Sequence, residues 1–154
     1  MGSLFGTDGI RGVAGEFITI ELAASVGRAA AAVLKEAGFE KPLVVVGKDT
    51  RISSDMLDCS ITSGLLSSGA DVISLGVMPT PAVAYLTVLY KAAAGIVISA
   101  SHNSFEHNGI KIFGGNGCKL PDELENRIED YVLGRREMPE HKAYGAIGRI
   151  LRPE

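Results

Sequence analysis

The chain has 154 residues, 46% hydrophobic and 21% charged, which fits one globular domain with its own core and excludes a disordered polymer. A net charge of −3 argues against non-specific nucleic-acid binding. No apolar run reaches the roughly 18 residues needed to span a bilayer, and the opening Met1-Gly2-Ser3-Leu4-Phe5-Gly6 lacks a basic segment leading into an apolar one, so neither a membrane partner nor a secretory leader is expected.

In chain order, Phe5-Gly6-Thr7-Asp8-Gly9-Ile10-Arg11-Gly12 is too rich in glycine for a helix and reads as a turn entering a short strand. Leu22, Val26, Ala29, Ala30, Val33, Leu34 and Ala37 recur at helical spacing, with Thr19 placed to cap the start and Gly38 to stop the run. Leu43-Val44-Val45-Val46 is a buried strand, and Gly47-Lys48-Asp49-Thr50-Arg51 is the loop after it. Ser53 or Ser54 is expected to cap a second helix through Leu57, Ile61 and Leu65, closed by Gly69. Val72-Ile73-Ser74-Leu75 is the next strand. Pro79-Thr80-Pro81 leads into a third helix, with Thr80 as its cap, ending near Tyr90. Ile96-Val97-Ile98 and Ile110-Lys111-Ile112-Phe113 are two further strands, and the short segment between them allows the second to run antiparallel. A last helix carries Leu124, Ile128, Tyr131 and Val132.

This alternation predicts an α/β domain, a mainly parallel sheet covered by helices on both faces. The domain is expected over residues 1–140. The polar stretch after Gly134 reads as an exit, and 141–154 as the start of a linker toward a second domain. Cys59 and Cys118 have no Cys-x-x-Cys partner and read as reduced thiols of a cytosolic protein.

The polar residues collect in four loops: Thr7 to Arg11, Lys48 to Arg51, Pro79 to Pro81, and Ala100 to Asn108. Loops after parallel strands gather on one sheet edge, where α/β proteins bind ligands. Ser101-His102-Asn103 follows the third clear strand, and Lys111 comes shortly after. Taken singly, Ser101 fits a turn serine bonding its own backbone, His102 a surface histidine and Lys111 a surface lysine. Taken together they suit a phosphate-handling site: a hydroxyl, a group that moves protons and a cation. Arg11 lies between glycines that let backbone approach a ligand. Asp49 and Arg51 read as a pair, and Asp8 as a brace for the first loop. The P-loop pattern, the Gly-x-Ser-x-Gly elbow and paired zinc-ligand spacings are all missing from the sequence.

These segments together resemble the α-D-phosphohexomutase family. The resemblance runs over nearly the whole chain. It rests on the Phe5–Gly12 segment, Gly47-Lys48-Asp49-Thr50-Arg51-Ile52-Ser53, Gly76-Val77-Met78-Pro79-Thr80-Pro81, Gly95-Ile96-Val97-Ile98-Ser99-Ala100-Ser101-His102-Asn103 and Asn108-Gly109-Ile110-Lys111. The branch it is most similar to acts on glucosamine phosphates; branches acting on mannose or glucose phosphates, or a non-catalytic phosphosugar-binding module, are the alternatives. The resemblance implies the first of four domains, a three-layer α/β/α unit with a four-stranded, mostly parallel mixed sheet. It implies that Ser101 carries a phosphoryl group and exchanges it with a hexose phosphate through a bisphosphorylated sugar. That reaction interconverts glucosamine 6-phosphate and glucosamine 1-phosphate on the way to cell-wall precursors in the cytoplasm. His102, Lys111 and Arg11 are then catalytic, and Thr7, Asp8, Asn103, Asp49 and Arg51 support the substrate and the phosphate loop. Mg²⁺ is implied as cofactor, bound in part by the Ser101 phosphate, with its other ligands in a second domain. Three positions depart from the family pattern: Ser104 where proline is usual, Lys48 where arginine is commoner, and Glu106-His107 ahead of Asn108.

Overall fold

Six strands form one sheet in the computed structural model, which describes residues 4–152. In chain order the elements are β1 (Ile10–Val13), α1 (Ile20–Glu36), β2 (Leu43–Lys48), α2 (Ile52–Ser67), β3 (Asp71–Val77), α3 (Thr80–Leu89), β4 (Ala94–Ile98), β5 (His107–Gly114), α4 (Asp122–Val132), a 3₁₀ turn (Tyr144–Ala146) and β6 (Ile150–Leu151). The sheet order is β1-β5-β4-β2-β3-β6. β2 runs parallel to both β3 and β4, and β3 parallel to β6; β5 is antiparallel to β4 and to β1. The mixed α/β class and the reversal at the fourth clear strand match the expectation.

The strand count does not: there are six strands, not four. The two extra strands sit at the sheet's edges. β1 has four residues with Gly12 among them, and only Ile10 is buried outright, so no alternation marks it. β6 has two exposed residues and exists because the chain returns to pair Val72↔Ile150 and Ile73↔Leu151. That return is anchored by Lys142 N donating to Ser67 O, Gly148 N to Leu66 O, and Arg149 N to an Asp71 carboxylate oxygen.

The central strands explain the layering. Val44 and Val46 of β2, with Ile96 and Ile98 of β4, face a core built with Val26, Ala30, Leu57, Ile61 and Ile128 of α1, α2 and α4. Val45, Val97, Ile73 and Phe113 face the other way, onto Val83 of α3. A strand buried on both faces reads as a continuous apolar run, which is why β2 and β4 stand out in the sequence. α1 is alanine-rich, a composition with strong helical preference, and the Thr19 hydroxyl caps it by accepting from Leu22 N at 3.1 Å. α1 and α2 approach closely through Gly27 and Gly64. A Cβ on Gly64 would stand 2.3 Å from Ala24 O, and one on Gly27 2.4 Å from Ile61 O.

Two expected caps are absent. α2 starts after Arg51 and has no side-chain cap; Ser53 and Ser54 lie inside its first turn, and their hydroxyls are engaged elsewhere. α3 starts after Pro79, so Thr80 is its first helical residue and caps nothing.

Candidate phosphoserine site

β2 and β4 run side by side in the same direction, so the loops after them meet at one edge; Asp49 N donates to Ile98 O at 3.0 Å there. β4 ends at Ile98, and the chain then turns through Ser99 to Glu106 before entering β5. Within the turn Ser101 is exposed and takes a left-handed backbone, φ +53°. Ser101 N donates to Ser99 Oγ at 3.1 Å, and Asn103 N to Ala100 O at 3.0 Å.

Two guanidinium groups converge on this turn. β1 pairs Arg11 with Gly109 of β5, and Arg11 Nη2 reaches Ser101 Oγ at 3.3 Å. Gly109 is what admits the arm: a Cβ there would lie 3.0 Å from Arg11 Cγ and 2.8 Å from Ser99 O. From the second loop, Arg51 Nη2 donates to Ser101 O at 3.1 Å and to Asn103 O at 2.6 Å. Arg51 is itself held by Asp49, whose carboxylate accepts from Arg51 N at 3.0 Å and pairs with Arg51 Nη1. Ser54 Oγ donates to the same carboxylate at 2.6 Å. Partial burial works against the Asp49 charge, but the Ser54 hydroxyl and the Arg51 amide and guanidinium outweigh it and hold its pKa below the usual aspartate value. Arg11 Nε and Arg51 Nε are both buried without a partner among the described residues. A buried donor left unpaired costs about 1–3 kcal/mol.

Ser101, Arg11, Asn103, Asp49 and Arg51 are thus brought together. His102 is exposed beside Ser101 on the turn. Lys111 lies on β5 opposite Val97, and its ammonium sits 5.6 Å from the centre of the Phe113 ring. Among the described residues it makes no hydrogen bond to the serine turn. Thr7 and Asp8 sit in the Gly6–Gly9 turn before β1 and also make no hydrogen bond to it among those residues. With Arg11, Lys119, Asp122 and Glu125 they line a cavity of about 1020 Å³. Gly9 (φ +86°) makes that turn possible, since a Cβ there would fall 2.3 Å from Ile110 O. Lys119 is taken up by Asp122 and Glu125; its hydrogen bond to Glu125 is the main reason its pKa is raised.

The three departures have visible consequences. Ser104 closes the turn with its side chain, donating to Glu106 Oε1 at 2.9 Å and lying 3.1 Å from His107 Nδ1, where a proline ring would have set the backbone. Lys48 Nζ sits between Asp58 (2.8 Å) and Asp55 (2.9 Å) of α2, and the Asp58 bond leads in raising its pKa. Sequence reasoning gave Asn108 no role at the site and Ser54 only that of a helix cap; both are fully buried and bonded to each other at 3.1 Å. The available signal for Asn108 was a polar residue near the start of β5, next to a glycine.

Residues 2–138 match the phosphoglucomutase/phosphomannomutase alpha/beta/alpha domain I. The chain belongs to this family. It is 59% identical over 149 residues to a phosphoglucosamine mutase of Caldanaerobacter subterraneus subsp. tengcongensis, covering 97% of this chain and 33% of that protein. Against a phosphoglucosamine mutase of Carboxydothermus hydrogenoformans it is 59% identical over 150 residues, covering 97% and 34%. Its fold is similar to a crystal structure from Thermus thermophilus described as a phosphomannomutase, with a TM-score of 0.80, 30% identity and coverage of 97% and 32%. The chain therefore spans about a third of the length of the curated relatives it matches. Among the described residues no helix is long and apolar enough to cross a membrane.

Proposed function

We propose that this chain is the phosphoserine-bearing domain of a phosphoglucosamine mutase acting in the cytoplasm, and that Ser101 is the phosphoryl carrier. Phosphoserine bears about −1.5 to −2 charges at neutral pH. The approach of Arg11 Nη2 to within 3.3 Å of Ser101 Oγ supports the reading most directly, because it sets a cation on the oxygen that would bear the phosphate. In the forward step the Ser101 Oγ–P bond breaks as a hydroxyl oxygen of the hexose phosphate bonds to phosphorus, and the hydroxyl proton passes through His102 to the freed Ser101 oxygen, which leaves as the serine hydroxyl. The bisphosphorylated sugar turns over and returns its other phosphoryl group to Ser101. Arg11 balances charge on the moving group, and Lys111 adds positive charge from the neighbouring strand. Asp49 and Arg51 hold the turn, with Asn103 supplying one of the carbonyls that Arg51 grips. Thr7 and Asp8, which line the cavity beside Arg11, would face the sugar phosphate.

Mg²⁺ fits this site only as a shared ion. Among the described residues no three His, Cys, Asp or Glu side chains come together to hold a metal, so the Ser101 phosphate would supply one oxygen and segments outside this chain the rest. Bound there, the ion would neutralise charge on the transferring phosphoryl group. Residues 142–151 return to the sheet through β6, so a linker toward those segments would start after that strand rather than at 141.

The test is a hybrid enzyme in which this chain replaces the matching third of the Caldanaerobacter protein. It should interconvert glucosamine 6-phosphate and glucosamine 1-phosphate, and Ser101→Ala should abolish turnover. A hybrid that keeps full turnover with Ser101→Ala would refute the proposal.

A further inference from the structure

We propose that Asn108 is a positioning residue for Ser101, acting through a directional hydrogen-bond chain of Ser54, Asp49 and Arg51. Its consequence for turnover rests on the phosphoryl-carrier reading above; its geometry does not. Asn108 and Ser54 are both 0% exposed, so each polar atom must find a protein partner. Asn108 Oδ1 accepts from Gly109 N at 2.8 Å, which turns Nδ2 toward α2. The two Nδ2 protons go to Ser53 Oγ (2.8 Å) and Ser54 Oγ (3.1 Å). Ser54, having received a proton there, gives its own to Asp49 Oδ1 at 2.6 Å. The Asp49 carboxylate fixes the plane of the Arg51 guanidinium, and Arg51 Nη2 then reaches the carbonyls of Ser101 and Asn103.

The same asparagine is tied to the other side of the turn, because Gly109 O accepts from Ser99 N at 3.0 Å. Asn108 therefore sets both the root of the serine turn and the arm that grips its tip. Ser53 provides the internal control. Its bond to Asn108 is as short as that of Ser54, but among the described residues its hydroxyl passes no hydrogen bond on to Asp49 or Arg51. A residue that merely satisfies buried polar groups would make the two serines equivalent.

The experiment uses this chain, labelled with ¹⁵N, and reads the Arg51 guanidinium signals and the Ser101 amide by NMR, with thermal unfolding alongside. The native chain and Ser53→Ala should show resolved, slowly rotating Arg51 Nη groups. Ser54→Ala should average them and shift the Ser101 amide, at a loss of melting temperature comparable to Ser53→Ala. Asn108→Asp keeps the side-chain shape while removing the donor, and should do the same where Asn108→Ala fails to fold. In the hybrid enzyme, Ser54→Ala should lower kcat about tenfold with KM held, the size of one lost hydrogen bond to a charged group. Equal effects of Ser53→Ala and Ser54→Ala on Arg51, or an unchanged kcat in an active hybrid, would overturn the proposal. A native hybrid without mutase activity would defeat the carrier reading, and the Arg51 signals would still decide the positioning role.

Discussion

Ser101 holds a left-handed backbone that costs a non-glycine residue about 1–3 kcal/mol. The turn is kept in place by Arg51 on two carbonyls and by Ser99 Oγ under the Ser101 amide. Ser101→Gly should therefore stabilise the chain by about 1 kcal/mol in urea unfolding while removing the hydroxyl proposed to carry the phosphoryl group. A destabilised Ser101→Gly chain would contradict the strained-turn account. The brace also has a pH signature. The Asp49 pKa in the folded chain lies below the ordinary value of 3.8, so its contribution to stability is complete above that value. It is lost as pH falls through the depressed folded value. Carbon NMR titration of the Asp49 carboxyl should place its midpoint below 3.8, with the Arg51 signals averaging over the same range. A midpoint at or above the ordinary value would show that the brace does not favour the charged form.

At the level of elements, the α1–α2 contact is the most sensitive to a single methyl group. Gly64→Ala should cost about 1–3 kcal/mol, because its Cβ meets the backbone carbonyl of Ala24 rather than a side chain that can swing away. Urea unfolding checks this, and a neutral Gly64→Ala would mean the two helices separate freely. What the sequence reveals about elements follows from where their partners lie. The Thr19 cap is legible because its acceptor bond is three residues away. The Ser53 and Ser54 hydroxyls are misread as caps because their partner, Asn108, stands more than fifty residues on and is joined only by the β5 fold. β2 and β4 announce themselves by apolar runs. β1 and β6 are edge pairings of four and two residues, set by where the chain returns rather than by their own pattern. Ser101, Arg11 and Lys111 were legible as residue types, but only the strand pairing shows that Arg11 reaches the serine while Lys111 lies along Phe113.

For the molecule as a whole, the chain brings Ser101 and two arginines together but spans only a third of its curated relatives. By itself it should give no mutase turnover, whereas the hybrid should; measurable turnover by the isolated chain would show that the other two thirds of the relatives are not required. The most direct measurement is to incubate the hybrid with a bisphosphorylated hexose, digest it and map the peptide between β4 and β5 by mass spectrometry. The account predicts one phosphoryl group, on Ser101. A phosphoryl group on Ser99 or Ser104 instead, or none on this peptide in an active hybrid, would contradict it.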